Sequence, residues 1–191
     1  ITSGDREQGL ALAEKLSADA GRSADAHMLL VDFFNLNEEP DLALAAARAL
    51  VKIHPRNPEA RILLGEQLMQ MQREADAYKE WAKLPKLIRP AHRGWARHSE
   101  VLSTHNRRES QRSLKRALDL APDHPEYLRL QALAHTDNRV PRDALKVWQR
   151  LLERATGPKH RLLREEARSR VVDILVGHHK QTELRILRKK A

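Results

Sequence analysis

Apolar residues recur along this chain at spacings of three and four, and the stretches they mark are separated by short polar joints. Leu30, Val31 and Phe34 form one set, followed by Ala43, Ala47 and Leu50. Leu64 and Leu68, then Ala77, Trp81 and Leu84, form the next two. Trp95 and Leu102, Leu114 and Ala117, Leu128 and Ala132, and finally Ala144, Trp148 and Leu151 continue the series. Residues three and four apart share one face of a helix, so each set predicts a helix with a single buried stripe. Two of the joints are of one kind, His54-Pro55-Arg56-Asn57-Pro58-Glu59 and Asp123-His124-Pro125-Glu126. Pro58 and Pro125 lie 67 residues apart, and so do Trp81 and Trp148. Two independent landmarks with one separation point to an internal repeat of about 34 residues, taken twice with one residue lost.

With that period the chain resembles the tetratricopeptide family, whose pattern asks for small residues at repeat positions 8 and 20, a large apolar one at 24 and often proline at 32. The resemblance places units at residues 24–57, 58–91, 92–124 and 125–158, the third with one deletion in its turn. Val31, Gly65, Ser99 and Ala132 then stand at position 8, and Ala43, Ala77, Ser110 and Ala144 at position 20. Val31 is larger than the pattern prefers, and Gln131 and His135 are polar departures on the first helix of the fourth unit. Residues 1–23 form a partial unit, with Asp5 to Ala20 as the second helix of a preceding repeat. Residues 159–191 form an elongated, irregular helix pair, one helix from about His160 to Val176 and the other from about Gln181. The fold this implies is all-α, a right-handed α-solenoid of about five helix-turn-helix pairs. Such pairs cannot bury their apolar faces alone and stack on their neighbours, so Trp81, Trp95 and Trp148 are expected in the core.

Composition narrows the picture. At 191 residues with 41% hydrophobic and 32% charged content, one architecture is expected to account for the whole chain. There is no cysteine, which removes disulfides, thiolate metal sites and cysteine nucleophiles. No apolar run approaches the roughly 18 residues that a membrane-spanning helix requires. A start at Ile1 without a signal-peptide pattern, and a basic end at Arg188-Lys189-Lys190-Ala191, read as a piece of a longer protein. The net charge of +9 is unevenly spread: residues 1–57 carry −3, residues 58–91 carry +1 and residues 92–191 carry +11. A positive second half steers acidic partners or anionic polymers.

Catalytic chemistry has no foothold in the motifs. The chain has no phosphate-cradling glycine loop, no nucleophile elbow and no paired histidines in metalloprotease spacing. Ten histidines are present, among them His98, His105, His160 and the neighbours His178 and His179. Adjacent helical residues point about 100° apart, so the last two do not converge on a metal, and they are expected on a solvated basic surface. Glu165 and Glu166 beside Arg164 and Arg168 read as intrahelical charge pairs. No enzymatic activity, no cofactor and no metal are expected.

The resemblance implies a concave groove lined by first helices at about positions 2, 5, 9, 12 and 13. Those positions are Asp25, Met28, Asp32, Asn35 and Leu36, then Glu59, Ile62, Glu66, Met69 and Gln70. The third unit contributes Arg93, Ala96, Glu100, Ser103 and Thr104, and the fourth Glu126, Arg129, Leu133, Thr136 and Asp137. Of these, Asp32, Asn35, Glu66, Met69, Gln70, Arg93, Glu100 and Arg129 are the candidate groove contacts. Their mixture suits a peptide or helix and lacks the Lys, Arg and Asn cluster that clamps a terminal carboxylate. Arg108, Arg112, Lys115, Arg116, Lys159, Arg161 and Arg164 form a candidate basic docking surface for an acidic protein. The function expected is a protein-interaction scaffold within a larger bacterial assembly, the family resemblance suggesting envelope secretion or exopolysaccharide export. Periplasm, outer membrane and cytoplasm all stay open. A basic nucleic-acid-binding helical-repeat module is the alternative, disfavoured because aromatics are only 4% of residues and the tryptophans are claimed by packing.

Overall fold

The computed structural model describes Lys15 and residues 23–190, with side chains described as far as Gly177. The expected helix from Asp5 to Ala20 lies outside the described residues, Lys15 apart. Those residues are helical and connecting segments without a strand, and they fall into two compact units divided between Pro90 and Ala91. Unit 1 holds α1 (Ala24–Leu36), α2 (Pro40–Ile53), α3 (Pro58–Gln70) and α4 (Glu74–Trp81), then a single helical turn at Leu84–Leu87. Unit 2 holds α5 (Ala91–Leu102), α6 (Arg107–Leu120), α7 (Pro125–Asp137) and α8 (Pro141–Arg154). A 3-10 turn at Pro158–His160 leads into α9 (Arg161–Lys190).

Local chemistry sets the helix starts. The Ser23 hydroxyl accepts from the Ala26 amide at 3.3 Å, the Asn57 carboxamide from Glu59 and Ala60 at 3.0 and 3.4 Å, and the Asn106 carboxamide from Glu109 at 3.1 Å. Each satisfies amide donors that the first helical turn leaves without a backbone partner. Proline opens α2, α3, α7 and α8, where its missing N–H is no loss. Three of the turns inside pairs repeat one design. Glu38, Gln72 and Arg139 adopt left-handed φ values of 59°, 59° and 58°. Behind each, the next amide reaches back five residues: Glu39 to Phe34, Arg73 to Leu68 and Val140 to His135, at 2.9, 2.8 and 3.0 Å. This closure satisfies carbonyls at the helix end. Between α5 and α6 the connection is Ser103–Asn106 instead, and no left-handed residue occurs in it.

Each helix pair packs its two members together, and consecutive pairs within a unit stack. The α3–α4 contact is close. Gly65 lies under the indole of Trp81, so close that a Cβ there would fall 2.0 Å from Nε1. Trp81 is fully buried and its Nε1 donates to the Ile62 carbonyl at 3.2 Å. The other pairs vary this trade of size between positions 8 and 24: Val31 with Ala47 in the first, Ala132 with Trp148 in the fourth, all four fully buried. Val31 is tolerated at position 8 because position 24 of its unit is only alanine.

One expectation holds only in part, one needs correction, and one helix ends early. Trp95 packs against the core of unit 2 but is only half-buried, and the Arg116 guanidinium covers its ring at 4.4 Å from the centroid. Residues 161–190 form one continuous helix, not a pair broken before Gln181. Gly177 alone does not end it, since one glycine costs a helix only about 1 kcal/mol and no proline follows. The second helix of the second unit stops at Trp81 after 8 residues, where the others at that place run for 14. Pro85 explains the break, because it has no N–H to donate to the Trp81 carbonyl four residues before it and its ring crowds that carbonyl.

Candidate protein-binding groove

Within unit 2 the first helices α5 and α7 flank α6 and leave an open cleft of about 300 Å³. Leu114 of α6 with Leu130, Leu133 and Ala134 of α7 make its apolar floor, and Ser99, Glu100 and Ser103 of α5 form one wall. Arg107, Ser110, Gln111 and Asp137 complete the rim. Its charged groups are held: Arg97 donates to Glu100 at 2.8 Å, and Arg107 stands 3.7 Å from Asp137. The back wall is rigid, because Ser99 Oγ donates to the Ser110 carbonyl at 2.8 Å while Ser110 Oγ donates to the Ser99 carbonyl at 2.7 Å. Deeper in the same helix contact, Ser113 Oγ donates to the Glu109 carbonyl at 3.0 Å and accepts from His98 Nδ1 at 2.9 Å. Burial holds the His98 imidazole below its ordinary pKa of 6.5; Glu109 opposes that shift and Arg116 adds to it. A buried cation without full solvation is costly, so the neutral form of His98 is favoured.

A second, smaller cleft of about 120 Å³ also lies along the α6–α7 contact. Gln131 and His135, the polar departures of the fourth unit, line it together with Gln111, Lys115 and Asn138 over Leu114, Leu118 and Ala134. Their polarity therefore belongs to a surface recess rather than to a defect in the core.

The candidate groove residues fall out as follows. Glu100 lines the larger cleft, and so do Ser103, Leu133 and Asp137 from the implied first-helix positions. Arg93 is exposed on α5. Arg129 is half-buried, and its Nε donates to Glu166 of α9 at 2.6 Å, so its cation is committed inside unit 2. In unit 1, Asp32, Glu66 and Gln70 are exposed, and Asn35 and Met69 are partly buried.

The basic candidates are mostly engaged. Arg112 pairs with Glu109 and Lys115 with Asp119, both at 3.1 Å, and Arg161 pairs with Glu165 at 2.9 Å. Arg116 lies over Trp95, and Arg164 donates to the carbonyls of Ala155 and Gly157 at 2.9 and 2.6 Å. Arg108 and Lys159 are exposed and have no ion-pair partner among the described residues. Glu166 is thus paired across helices, not along its own as its spacing suggested.

Sequence reasoning had no signal for a ring cluster at the head of unit 2. His124 stacks on Tyr127 with centroids 3.9 Å apart, and His92 Nδ1 shares a hydrogen bond of 2.9 Å with the Tyr127 hydroxyl. Burial lowers the His124 pKa and raises that of Tyr127. Among the described residues no three His, Asp or Glu side chains converge as a metal ion requires, and no helix is long and apolar enough to cross a membrane. His178 and His179 lie outside the described side chains.

Comparison with solved structures identifies the class. PilF of Pseudomonas aeruginosa is similar over 98% of this chain and 91% of its own, at 19% identity and a TM-score of 0.50. PilW, a widely conserved type IV pilus biogenesis factor, is similar over 96% of this chain and 86% of its own, at 16% identity and a TM-score of 0.51. YrrB, a tetratricopeptide protein with an unusual peptide-binding site, is similar over 87% and 84% at 13% identity and a TM-score of 0.50. The fold is that of tetratricopeptide-repeat proteins, an all-helical α-solenoid type. No protein-family model matches the sequence, and no curated protein is similar to it.

Proposed function

We propose that this chain is a protein-interaction scaffold whose unit 2 cleft receives a short segment of a partner protein. The observation that carries the reading is the cleft itself: an apolar floor of Leu114, Leu130 and Leu133 beneath the hydroxyl of Ser103, the amide of Gln111 and the carboxylates of Glu100 and Asp137. A concave site with a few convergent polar groups suits a peptide that inserts one bulky apolar side chain. The peptide-binding site of YrrB, on the same fold, supports the reading by analogy. The net +11 of residues 92–191 steers acidic partners at longer range even where individual cations are paired locally. A setting in bacterial envelope secretion or exopolysaccharide export rests on the family resemblance alone.

The test is capture of partners from envelope and cytosolic fractions by the wild-type chain and by Leu133→Lys and Ser103→Trp, with nuclease treatment in parallel. A protein retained by the wild type through nuclease and reduced about tenfold or more by either variant supports the cleft. Retention unchanged in both variants removes the cleft from the mechanism. Recovery that vanishes with nuclease replaces the scaffold with a nucleic-acid-binding module.

A further inference from the structure

Helix α9 is more apolar than its seat in unit 2 requires. Residues Val171–Val176 include five apolar side chains in six. A helix with one neighbour needs one apolar stripe, and this segment carries apolar side chains beyond that stripe, with the exposed Asp173 between Val172 and Ile174. Unit 2 covers one side. Leu163, Ala167, Val171 and Ile174 follow a helical line at spacings of four, four and three and join the core around Trp148 and Leu151. Val172, Leu175 and Val176 lie off that line and are 56%, 50% and 46% exposed. They continue the line of the exposed Arg168, at i+4, i+7 and i+8.

Charge says what covers them. Over residues 167–190 seven Lys and Arg stand against two Asp and Glu. The exposed Arg168 and Arg170 precede the apolar segment and form no ion pair among the described residues. A second copy of α9 would bring the same positive charge against itself, and like charges across an interface are disfavoured. We infer that the open face of α9 at Val172, Leu175 and Val176 docks an amphipathic helix of a partner protein whose apolar stripe is bordered by Asp and Glu. Two helices pack side by side at about 8–10 Å, a geometry in which a stripe of this length is buried and Arg168, at its head, meets a carboxylate of the partner. This rests on the scaffold reading, but it assigns a second surface that shares no residue with the cleft.

The probe is a synthetic helical peptide with leucines at i, i+3 and i+7 bordered by glutamates, compared by fluorescence anisotropy with the same peptide bordered by lysines. The glutamate peptide is expected to bind the full chain about tenfold or more tighter at low salt, and the gap should narrow at high salt. Leu175→Glu with Val176→Glu should abolish binding, and Arg168→Glu should reduce the preference. These side chains face solvent, and circular dichroism checks that the fold is kept. Equal binding of the two peptides, or unchanged binding by the Leu175→Glu, Val176→Glu variant, overturns the inference. So does a dimer in sedimentation that this variant dissolves, or recruitment by α9 to phosphatidylserine vesicles in place of the peptide. Leu133→Lys should leave peptide binding intact. If the cleft retains its partner while the peptide fails, only the docking helix is lost; if Leu133→Lys has no effect on partner capture while the peptide binds, only the cleft is lost.

Discussion

The second and third helix pairs occupy the same repeat positions and hold together by different physics. In α3–α4, position 8 is Gly65 and position 24 is Trp81, and contact is a large ring lying on bare backbone. In α5–α6, position 8 is Ser99, which trades reciprocal hydrogen bonds with Ser110, and His98 and Ser113 extend the polar seam. Here position 24 is Leu114, and the third tryptophan is half-buried against the core with Arg116 over its ring. A close helix approach is thus reached once by shape and once by satisfied polarity. The first contact depends on volume and the second on protonation state.

Placing alanine at position 8 of each pair gives the largest separation. Gly65→Ala sets a methyl group 2.0 Å from Trp81 Nε1, and the ring is fully buried with no free side to move toward. Overpacking of this kind costs about 3 kcal/mol or more, so a sharp fall in the denaturation midpoint of unit 1 is expected. Pairing it with Trp81→Leu should return part of that loss, and a double-mutant cycle measures the coupling. Ser99→Ala removes a hydroxyl but introduces no clash, and Ser110 Oγ keeps the Ser99 carbonyl as acceptor. The loss there should be about 1 kcal/mol. Equal losses at the two sites would remove the distinction between them.

Acid separates the pairs next. His98 has its pKa depressed by burial, so below its ordinary 6.5 the unfolded chain takes up a proton that the folded chain refuses. Stability conferred by neutral His98 is therefore present above pH 6.5 and declines as pH falls from there toward the lower folded value. His124 is depressed by burial too and acts in the same direction. Unit 2 should lose stability between neutral pH and mild acid, and His98→Gln should flatten, without abolishing, that slope in urea titrations. Hydrogen exchange that reports no greater loss in α5–α6 than in α3–α4 would show that the polar seam does not set the pH response.

The pairing of helices was legible from the chain because proline joints and small residues at positions 8 and 20 are local signals. Glu100, Ser103, Leu133 and Asp137 of the cleft stand at positions that the family resemblance named for the groove, whereas Arg107, Ser110, Gln111 and Leu114 come from the second helix and were not among them. Contacts set by tertiary placement left no trace in spacing. Arg129 meets Glu166 across 37 residues, and that depends on how α9 lies against α7. The cover that Arg116 gives the Trp95 ring likewise comes from the next helix. Several charges that read as a basic surface are neutralised by neighbours three or four residues away, a pairing that helical spacing does allow one to anticipate.

The smallest effect concerns what the first, second and fourth pairs share and the third lacks. Glu38, Gln72 and Arg139 hold left-handed φ values in turns of identical closure, although each carries a Cβ. Left-handed backbone costs an ordinary residue about 1–2 kcal/mol and glycine almost nothing, while glycine loses more freedom on folding. The balance predicts that Glu38→Gly, Gln72→Gly and Arg139→Gly each stabilise their unit by about 0.5–1 kcal/mol, read as an upward shift in the thermal midpoint. The Ser103–Asn106 connection contains no left-handed residue, so His105→Gly in that turn gains nothing from relieved backbone strain. Its added freedom in the unfolded chain should leave α5–α6 slightly weaker, opposite in sign to the other three turns.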